Sequence, residues 1–204
     1  ASLLADGGKL ADAARLLATH AMVFGLAKAG FVRVSINPHF KGAALDHMLA
    51  HAAPHALIVE RGREAMASPS LASAPVKRVL WREGVDGTER AGSLERLIAD
   101  APDTPPAHRP HWDDILAINY TSGTTGAPKG AMRSDKQLRA GPVAYRPLAD
   151  MRPGDVFLNW EPICHAGGFA ILIAALMVPT TLDMQERFSA SQYWPQIRAA
   201  KATQ

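Results

Sequence analysis

Residues 114–130 read Asp114-Ile-Leu-Ala-Ile-Asn-Tyr120-Thr-Ser-Gly-Thr-Thr-Gly-Ala-Pro-Lys-Gly130. The first seven form an apolar, β-rich run of strand length that delivers the chain into a cluster of hydroxyl and glycine residues. A buried strand ending on Ser, Thr and Gly offers backbone N–H groups and short hydroxyls to a polyanion, and glycine lets the main chain approach closely. Gly123, Gly126 and Gly130 supply that freedom, Thr121, Ser122, Thr124 and Thr125 the hydroxyls, and Lys129 a mobile positive charge. Pro128 stiffens the turn just before the lysine. A featureless Gly/Ser/Thr linker needs neither the strand before it nor the Pro-Lys-Gly after it, so the stretch reads as a phosphate-binding loop. It is not a Walker loop, because Pro128 stands where the second glycine belongs and Gly130 where a hydroxyl residue should follow the lysine. Gly123 and Gly126 also lack the Gly-x-Gly start of a dinucleotide site.

Upstream of this stretch, strands alternate with helices. Leu10, Ala14, Leu17, Ala21, Phe24 and Ala27 recur at three- and four-residue spacing, which predicts an amphipathic helix from Lys9 to Ala29 closed by Gly30. A short β-branched strand follows from Phe31 to Ile36, then a helix from about Lys41 to Ala53 that stops at Pro54. Ala56–Glu60 and Val76–Trp81 read as two more strands, separated by a Ser/Pro/Ala-rich stretch. Downstream, the pattern predicts a helix near Ser134–Leu148, a strand at Val156–Trp160 and a helix through Phe169–Met177. A last short strand then precedes a helix at Ser189–Ala200. This alternation predicts an α/β fold with parallel or mixed sheets flanked by helices, because parallel strands need crossover connections. Four prolines between Asp100 and Pro110 mark an extended connection. The expected organisation is thus a first α/β subdomain portion over 1–100, a Pro-rich connection over 101–113, and a second portion over 114–204 carrying the loop.

The 204 residues are 48% hydrophobic and 20% charged with a formal charge of +3, an ordinary globular composition. Lys and Arg are scattered, so no footprint for nucleic acid is expected. Cys164 is the only cysteine, which excludes an intrachain disulfide framework and points to a reducing, cytoplasmic setting. The uncharged run Ala166–Leu182 is broken by Pro179 and reads as a buried helix leading into a strand, not a transmembrane segment. No signal peptide is expected at Ala1, and the missing initiator Met suggests truncation or processing. His47, His51 and His55 are spaced by four, but Pro54 interrupts the run and no acidic or cysteine partner lies at ligand spacing. They read as a solvated helix face and no metal site is expected. Cys164 reads as a small buried hydrophobe, and Trp81, Trp112, Trp160 and Trp194 as core or interface residues.

The stretch Tyr120–Gly130 resembles, at every position, the phosphate-binding signature of the acyl-adenylate-forming superfamily of acyl-CoA synthetases, luciferases and peptide-synthetase adenylation domains. Phe24-Gly-Leu-Ala-Lys-Ala-Gly-Phe-Val-Arg-Val-Ser-Ile-Asn-Pro38 resembles it too, as does the region from Arg152-Pro-Gly-Asp155 to Glu161-Pro-Ile-Cys-His-Ala-Gly-Gly168, so the resemblance covers most of the chain. Arg187-Phe-Ser-Ala-Ser-Gln-Tyr-Trp194 is similar to carnitine/crotonobetaine and medium- or long-chain acyl-CoA ligases.

The resemblance implies part of the N-terminal domain of an acyl-CoA ligase with ATP, Mg2+ and coenzyme A as its substrates or cofactors. A carboxylate would attack the α-phosphate of ATP to give an acyl-adenylate and pyrophosphate, and the coenzyme A thiol would then displace AMP. It assigns the β- and γ-phosphates to Thr121, Ser122, Gly123, Thr124, Thr125, Gly126 and Lys129. Pro162-Ile-Cys-His165 occupies the place of a family segment that lines the acyl pocket, which makes His165 and Gly168 acyl-pocket candidates, although Ile163 and Cys164 depart from its more aromatic pattern. The family's magnesium carboxylate, ribose aspartate, hinge and small C-terminal domain with its lysine would all lie beyond Gln204. No catalytic residue is therefore assigned within the chain, and the fragment alone is expected to be inactive. A homodimer is compatible with this reading. Two alternatives stay open: a non-catalytic nucleotide- or phosphate-binding module, and an adenylating enzyme whose acceptor is not coenzyme A.

Overall fold

The structure, a computed structural model, describes residues 21–37, 39–60, 62–63, 69–82, 93–121, 127–185 and 187–204. It is a mixed α/β fold whose small sheets are flanked by helices. Two compact units are distinguished. One comprises Ser2–Pro110 with Tyr120–Ala131, and the other His111–Asn119 with Met132–Gln204. They are called here the N-terminal and the C-terminal unit.

In the N-terminal unit, helix α1 is described over residues 21–28. It closes in two reverse bonds, from the Phe31 N–H to the Leu26 carbonyl at 2.9 Å and from the Gly30 N–H to the Ala27 carbonyl at 3.2 Å. This closure needs a left-handed residue, and Gly30 adopts φ +76°. A Cβ at Gly30 would also stand 2.8 Å from the His108 ring, which packs against it. The expected end of the helix is therefore where the sequence placed it. Strand β1 (Arg33–Ser35) follows, then α2 (Ala43–Ala52), β2 (Ala56–Glu60), a helical turn α3 over 69–71, β3 (Arg78–Arg82) and α4 (Leu94–Ala99). Leu45, Met48 and Leu49 occupy one face of α2 and are buried. Each such side chain contributes roughly 1.5–3 kcal/mol by leaving water, which fixes the rotation of the helix and hence which residues its other faces present. Strands β2 and β3 pair in parallel with Ala56 opposite Arg78 and Glu60 opposite Arg82. Residues 101–110 carry neither helix nor strand and are almost wholly exposed.

Strands β4 (Ile115–Tyr120) and β5 (Gly130–Ser134) are hydrogen-bonded neighbours, and the boundary between the units crosses both. In the C-terminal unit, Ser134 caps α5 (Asp135–Leu148) through a reciprocal pair. Its hydroxyl accepts from the Gln137 N–H at 3.3 Å, and its own N–H donates to Gln137 Oε1 at 3.0 Å. Strand β6 (Val156–Asn159), helix α6 (Ala166–Met177) and strand β7 (Thr181–Met184) form a parallel β-α-β unit in the register Val156↔Thr181 to Asn159↔Met184. Met151, Phe157, Ala174 and Val178 make its core, lined by Tyr145, Ala149, Ile171 and Leu182. Helix α7 (Tyr193–Ala200) then returns the chain to β6, where the Gln204 N–H reaches the Val156 carbonyl at 3.2 Å and the Gln204 carbonyl accepts from the Leu158 N–H at 3.1 Å. Both edges of β6 are thereby bonded, and Phe157, Leu158 and Asn159 are buried. Among the described residues no helix is long and apolar enough to cross a membrane.

The tryptophans divide between these settings. Trp160 lies 5.4 Å from the rings of both Phe188 and Tyr193, as a partner in an aromatic cluster. Trp112 and Trp194 are 58% and 62% exposed and are not core residues. The Arg139 guanidinium covers the Trp112 ring at 5.5 Å.

Candidate phosphate-binding site

In the N-terminal unit, β4 ends at Tyr120 and the chain returns at Lys129. The Thr121 N–H donates to the Lys129 carbonyl at 3.0 Å, and the Lys129 N–H reaches back to Thr121 Oγ1 at 3.4 Å. Of the seven loop residues singled out from sequence, Thr121 and Lys129 are thus brought together at the mouth of the loop, both exposed. Ser122, Gly123, Thr124, Thr125 and Gly126 lie outside the described residues. Lys129 is exposed, so its side chain reaches solvent.

Sequence reasoning missed the residues that meet this mouth from α2. His47 Nε2 lies 2.9 Å from the Pro128 carbonyl oxygen, and His51 Nδ1 lies 2.7 Å from the Tyr120 hydroxyl. A carbonyl only accepts, so His47 Nε2 carries a proton and donates. Burial raises the Tyr120 phenol above its ordinary value, which keeps it a neutral hydroxyl at physiological pH. The two imidazoles stack at 5.6 Å between centroids, and His51 meets the Tyr120 ring edge-on at 5.8 Å. His47 is half-buried, so the expected solvated face of α2 is in part a contact surface. The four-residue spacing was the one legible signal. Among the described residues no group of three His, Cys, Asp or Glu is placed to hold a metal ion.

In the C-terminal unit, His165 is the residue before the first turn of α6, exposed, with its N–H bonded to the Pro162 carbonyl at 2.9 Å. Gly168 is buried in that first turn. A Cβ there would stand 2.5 Å from each of the carbonyl oxygens of Glu161 and Pro162, so the helix lies directly on the backbone of the segment that leads to His165. That segment is shaped by Asn159, which is 3% exposed. Its Oδ1 accepts from the Glu161 N–H at 3.0 Å and its Nδ2 donates to the Glu161 carbonyl at 3.3 Å. An asparagine at the end of a strand is a turn signal that sequence reasoning passed over. Cys164 is partly buried. Asn119, one residue before Tyr120, has its Oδ1 buried with no hydrogen-bond partner among the described residues, an acceptor that a polar ligand or a water would satisfy.

The sequence profile of the AMP-binding enzymes matches residues 13–204, nearly the whole chain. The chain belongs to the AMP-binding enzyme family. It is 32% identical over 180 residues to the long-chain fatty acid transport protein 1 of Rattus norvegicus, covering 83% of this chain and 27% of that protein. It is 30% identical over 184 residues to the long-chain-fatty-acid–CoA ligase FadD13 of Mycobacterium tuberculosis (strain CDC 1551 / Oshkosh), covering 86% of this chain and 34% of that one. The inhibitor-bound N-terminal domain of FACL13 from Mycobacterium tuberculosis superposes with a TM-score of 0.75 at 26% identity, over 90% of this chain and 45% of that chain. This AMP-binding chain therefore spans roughly a quarter to a third of the length of the curated relatives it matches.

Proposed function

We propose that the chain supplies the phosphate-binding loop of an ATP-dependent acyl-CoA ligase. In that reading a carboxylate attacks the α-phosphorus of ATP, the bond to the pyrophosphate oxygen breaks, and the acyl-adenylate forms. The thiol of coenzyme A then attacks the acyl carbon, loses its proton and displaces AMP. The observation that carries the proposal is the closure of Thr121 on Lys129 at the end of β4, which holds an exposed hydroxyl and an exposed ammonium at one loop mouth. A departing pyrophosphate gathers negative charge, and fixed N–H donors with a lysine stabilise that charge more as it grows. Ser122, Gly123, Thr124, Thr125 and Gly126 are assigned to the same phosphates, and His165 and Gly168 to the acyl pocket. Magnesium would accompany ATP, but the described residues offer no ligand set for it and no step is routed through it. The same reading retains residues 1–100 and 114–204 as portions of two subdomains joined by 101–113, a cytoplasmic setting, and a homodimer as a compatible assembly.

The test is pyrophosphate release by the complete gene product with ATP, magnesium and a panel of carboxylates, followed by thioester formation with coenzyme A. Lys129→Ala is expected to slow adenylate formation while sparing thiol transfer from a supplied acyl-adenylate, because the β- and γ-phosphates have left before the second half-reaction. Equal losses in both half-reactions would reject the loop assignment. Nucleotide binding without pyrophosphate release would favour a binding module, and transfer only to other acceptors an enzyme that does not use coenzyme A.

A further inference from the structure

Resting on the reading that the loop between Tyr120 and Gly130 holds the phosphates of ATP, we propose that His47 and His51 are positioning residues that clasp the two ends of that loop from α2. The two histidine bonds land on the residues that flank the loop. Tyr120, held by His51, directly precedes Thr121, and Pro128, held by His47, directly precedes Lys129. These partners are 69 and 81 residues away along the chain, so neither bond is a by-product of local helix geometry. Positions four apart share a helix face, and the two rings stack with 21° between their planes.

The His47 bond has a consequence for Lys129 itself. A trans peptide is planar, so the carbonyl of Pro128 and the N–H of Lys129 point in opposite directions. The carbonyl points at His47 on α2, and the N–H faces Thr121 Oγ1 at 3.4 Å. One imidazole donor therefore fixes the whole peptide plane from which the lysine side chain departs. Pro128 has no N–H of its own, so its carbonyl is the only main-chain polar group by which that residue can be held. On the other strand, Tyr120 is anchored at its hydroxyl, which limits how far the start of the loop can move. The rotation of α2 that presents both rings is set by Leu45, Met48 and Leu49 on its buried face. Apolar packing in this unit thus determines the aim of a charged group at its surface.

The experiment compares His47→Leu, His47→Gln, Tyr120→Phe and Lys129→Ala in the complete gene product, measuring KM for ATP and kcat in pyrophosphate release and, separately, thiol transfer from a preformed acyl-adenylate. Loss of one neutral hydrogen bond predicts a roughly three- to tenfold rise in KM for ATP in His47→Leu, with thiol transfer unchanged. His47→Gln carries an N–H able to reach the same carbonyl and is expected to restore most of the loss. A general destabilisation would instead impair both half-reactions and both substitutions alike, and that result overturns the proposal. If His47→Leu does not fold, Tyr120→Phe, which removes a single oxygen, decides the matter at the other end of the loop. An unchanged KM for ATP in Tyr120→Phe then overturns the clasp. Lys129→Ala separates the two levels of inference. A raised KM there beside unaffected histidine variants sinks the clasp alone, and an unaffected Lys129→Ala enzyme overturns the loop reading and the clasp with it.

Discussion

Replacing Gly168 by alanine should destabilise the C-terminal unit, whereas the same change at its neighbour Gly167 should not. Both glycines lie in the first turn of α6, where alanine is intrinsically favoured over glycine by up to about 1 kcal/mol. At Gly167 the added methyl would meet only Glu161 Oε2 at 3.9 Å, an ordinary contact with a movable side chain. At Gly168 it would lie 2.5 Å from two backbone oxygens, about 0.9 Å inside the 3.4 Å at which ordinary contact begins. Those oxygens belong to Glu161 and Pro162, and the Asn159 side chain ties the Glu161 backbone down, so they cannot swing aside without breaking bonds. Overpacking of this kind costs about 1–3 kcal/mol. The propensity gain is common to both positions, so the two variants should differ by roughly 1–3 kcal/mol, and the melting temperature of Gly168→Ala should lie several degrees below that of Gly167→Ala. Urea and thermal unfolding followed by tryptophan fluorescence and far-UV circular dichroism would measure the difference. Coincident midpoints for the two variants would refute the reasoning, since it rests on backbone contact at one position and its absence at the next.

Ser134→Ala removes one half of the capping pair on α5 and should cost about 1 kcal/mol, read as a lower urea midpoint; an unchanged midpoint would show that the cap contributes nothing. Asp155 is held below the ordinary carboxylate range by the Arg152 N–H at 2.7 Å and by the Thr203 hydroxyl at 2.9 Å, with a smaller contribution from the Arg152 charge. A folded value below the unfolded one means that its stabilisation is present above about pH 4 and is lost as the pH falls through the depressed folded value. Asp155→Asn should accordingly lie below the parent in stability at neutral pH and converge on it in acid, and a gap that stays constant with pH would contradict this. His165→Ala, made in the complete gene product, is expected to change the ranking of carboxylates in pyrophosphate release more than KM for ATP; identical rankings would remove His165 from the acyl pocket.

Much of the fold was legible because its elements carry their own period. Ala56–Glu60 is the strand read from sequence residue for residue, and α5 differs from its expected span only at Ser134, which is the cap. Three elements among the described residues were missed, the first being α3, a single turn over 69–71 inside the Ser/Pro/Ala-rich stretch. Helix α4 has six residues, too few to display a helical period, and declares itself only through Ser93, whose hydroxyl accepts from the Arg96 N–H at 3.1 Å. Strand β5 reads Gly-Ala-Met-Arg-Ser and has no alternation; it is a strand because β4 pairs with it, a tertiary cause that no local pattern can show. The candidate site divides in the same way. Its glycines, hydroxyls and lysine are contiguous and were legible as phosphate chemistry. The histidines at its mouth were visible only as a spacing, because their partners enter from the far side of a long stretch of chain.

The pairing of Gln204 with β6 has a practical corollary. Its N–H bonds the Val156 carbonyl and its carbonyl accepts from the Leu158 N–H, which is the parallel arrangement opposite Phe157. Direction is thereby set as well as position, since a parallel partner travels the way β6 travels, toward Asn159. Anything joined after Gln204, whether a fluorescent reporter, an affinity handle or an immobilising linker, would emerge at the end of the sheet where the Asn159 turn leads to His165. A label there would report on that turn and obstruct it at the same time. Experiments meant to leave His165 undisturbed therefore keep such attachments away from this end of the sheet.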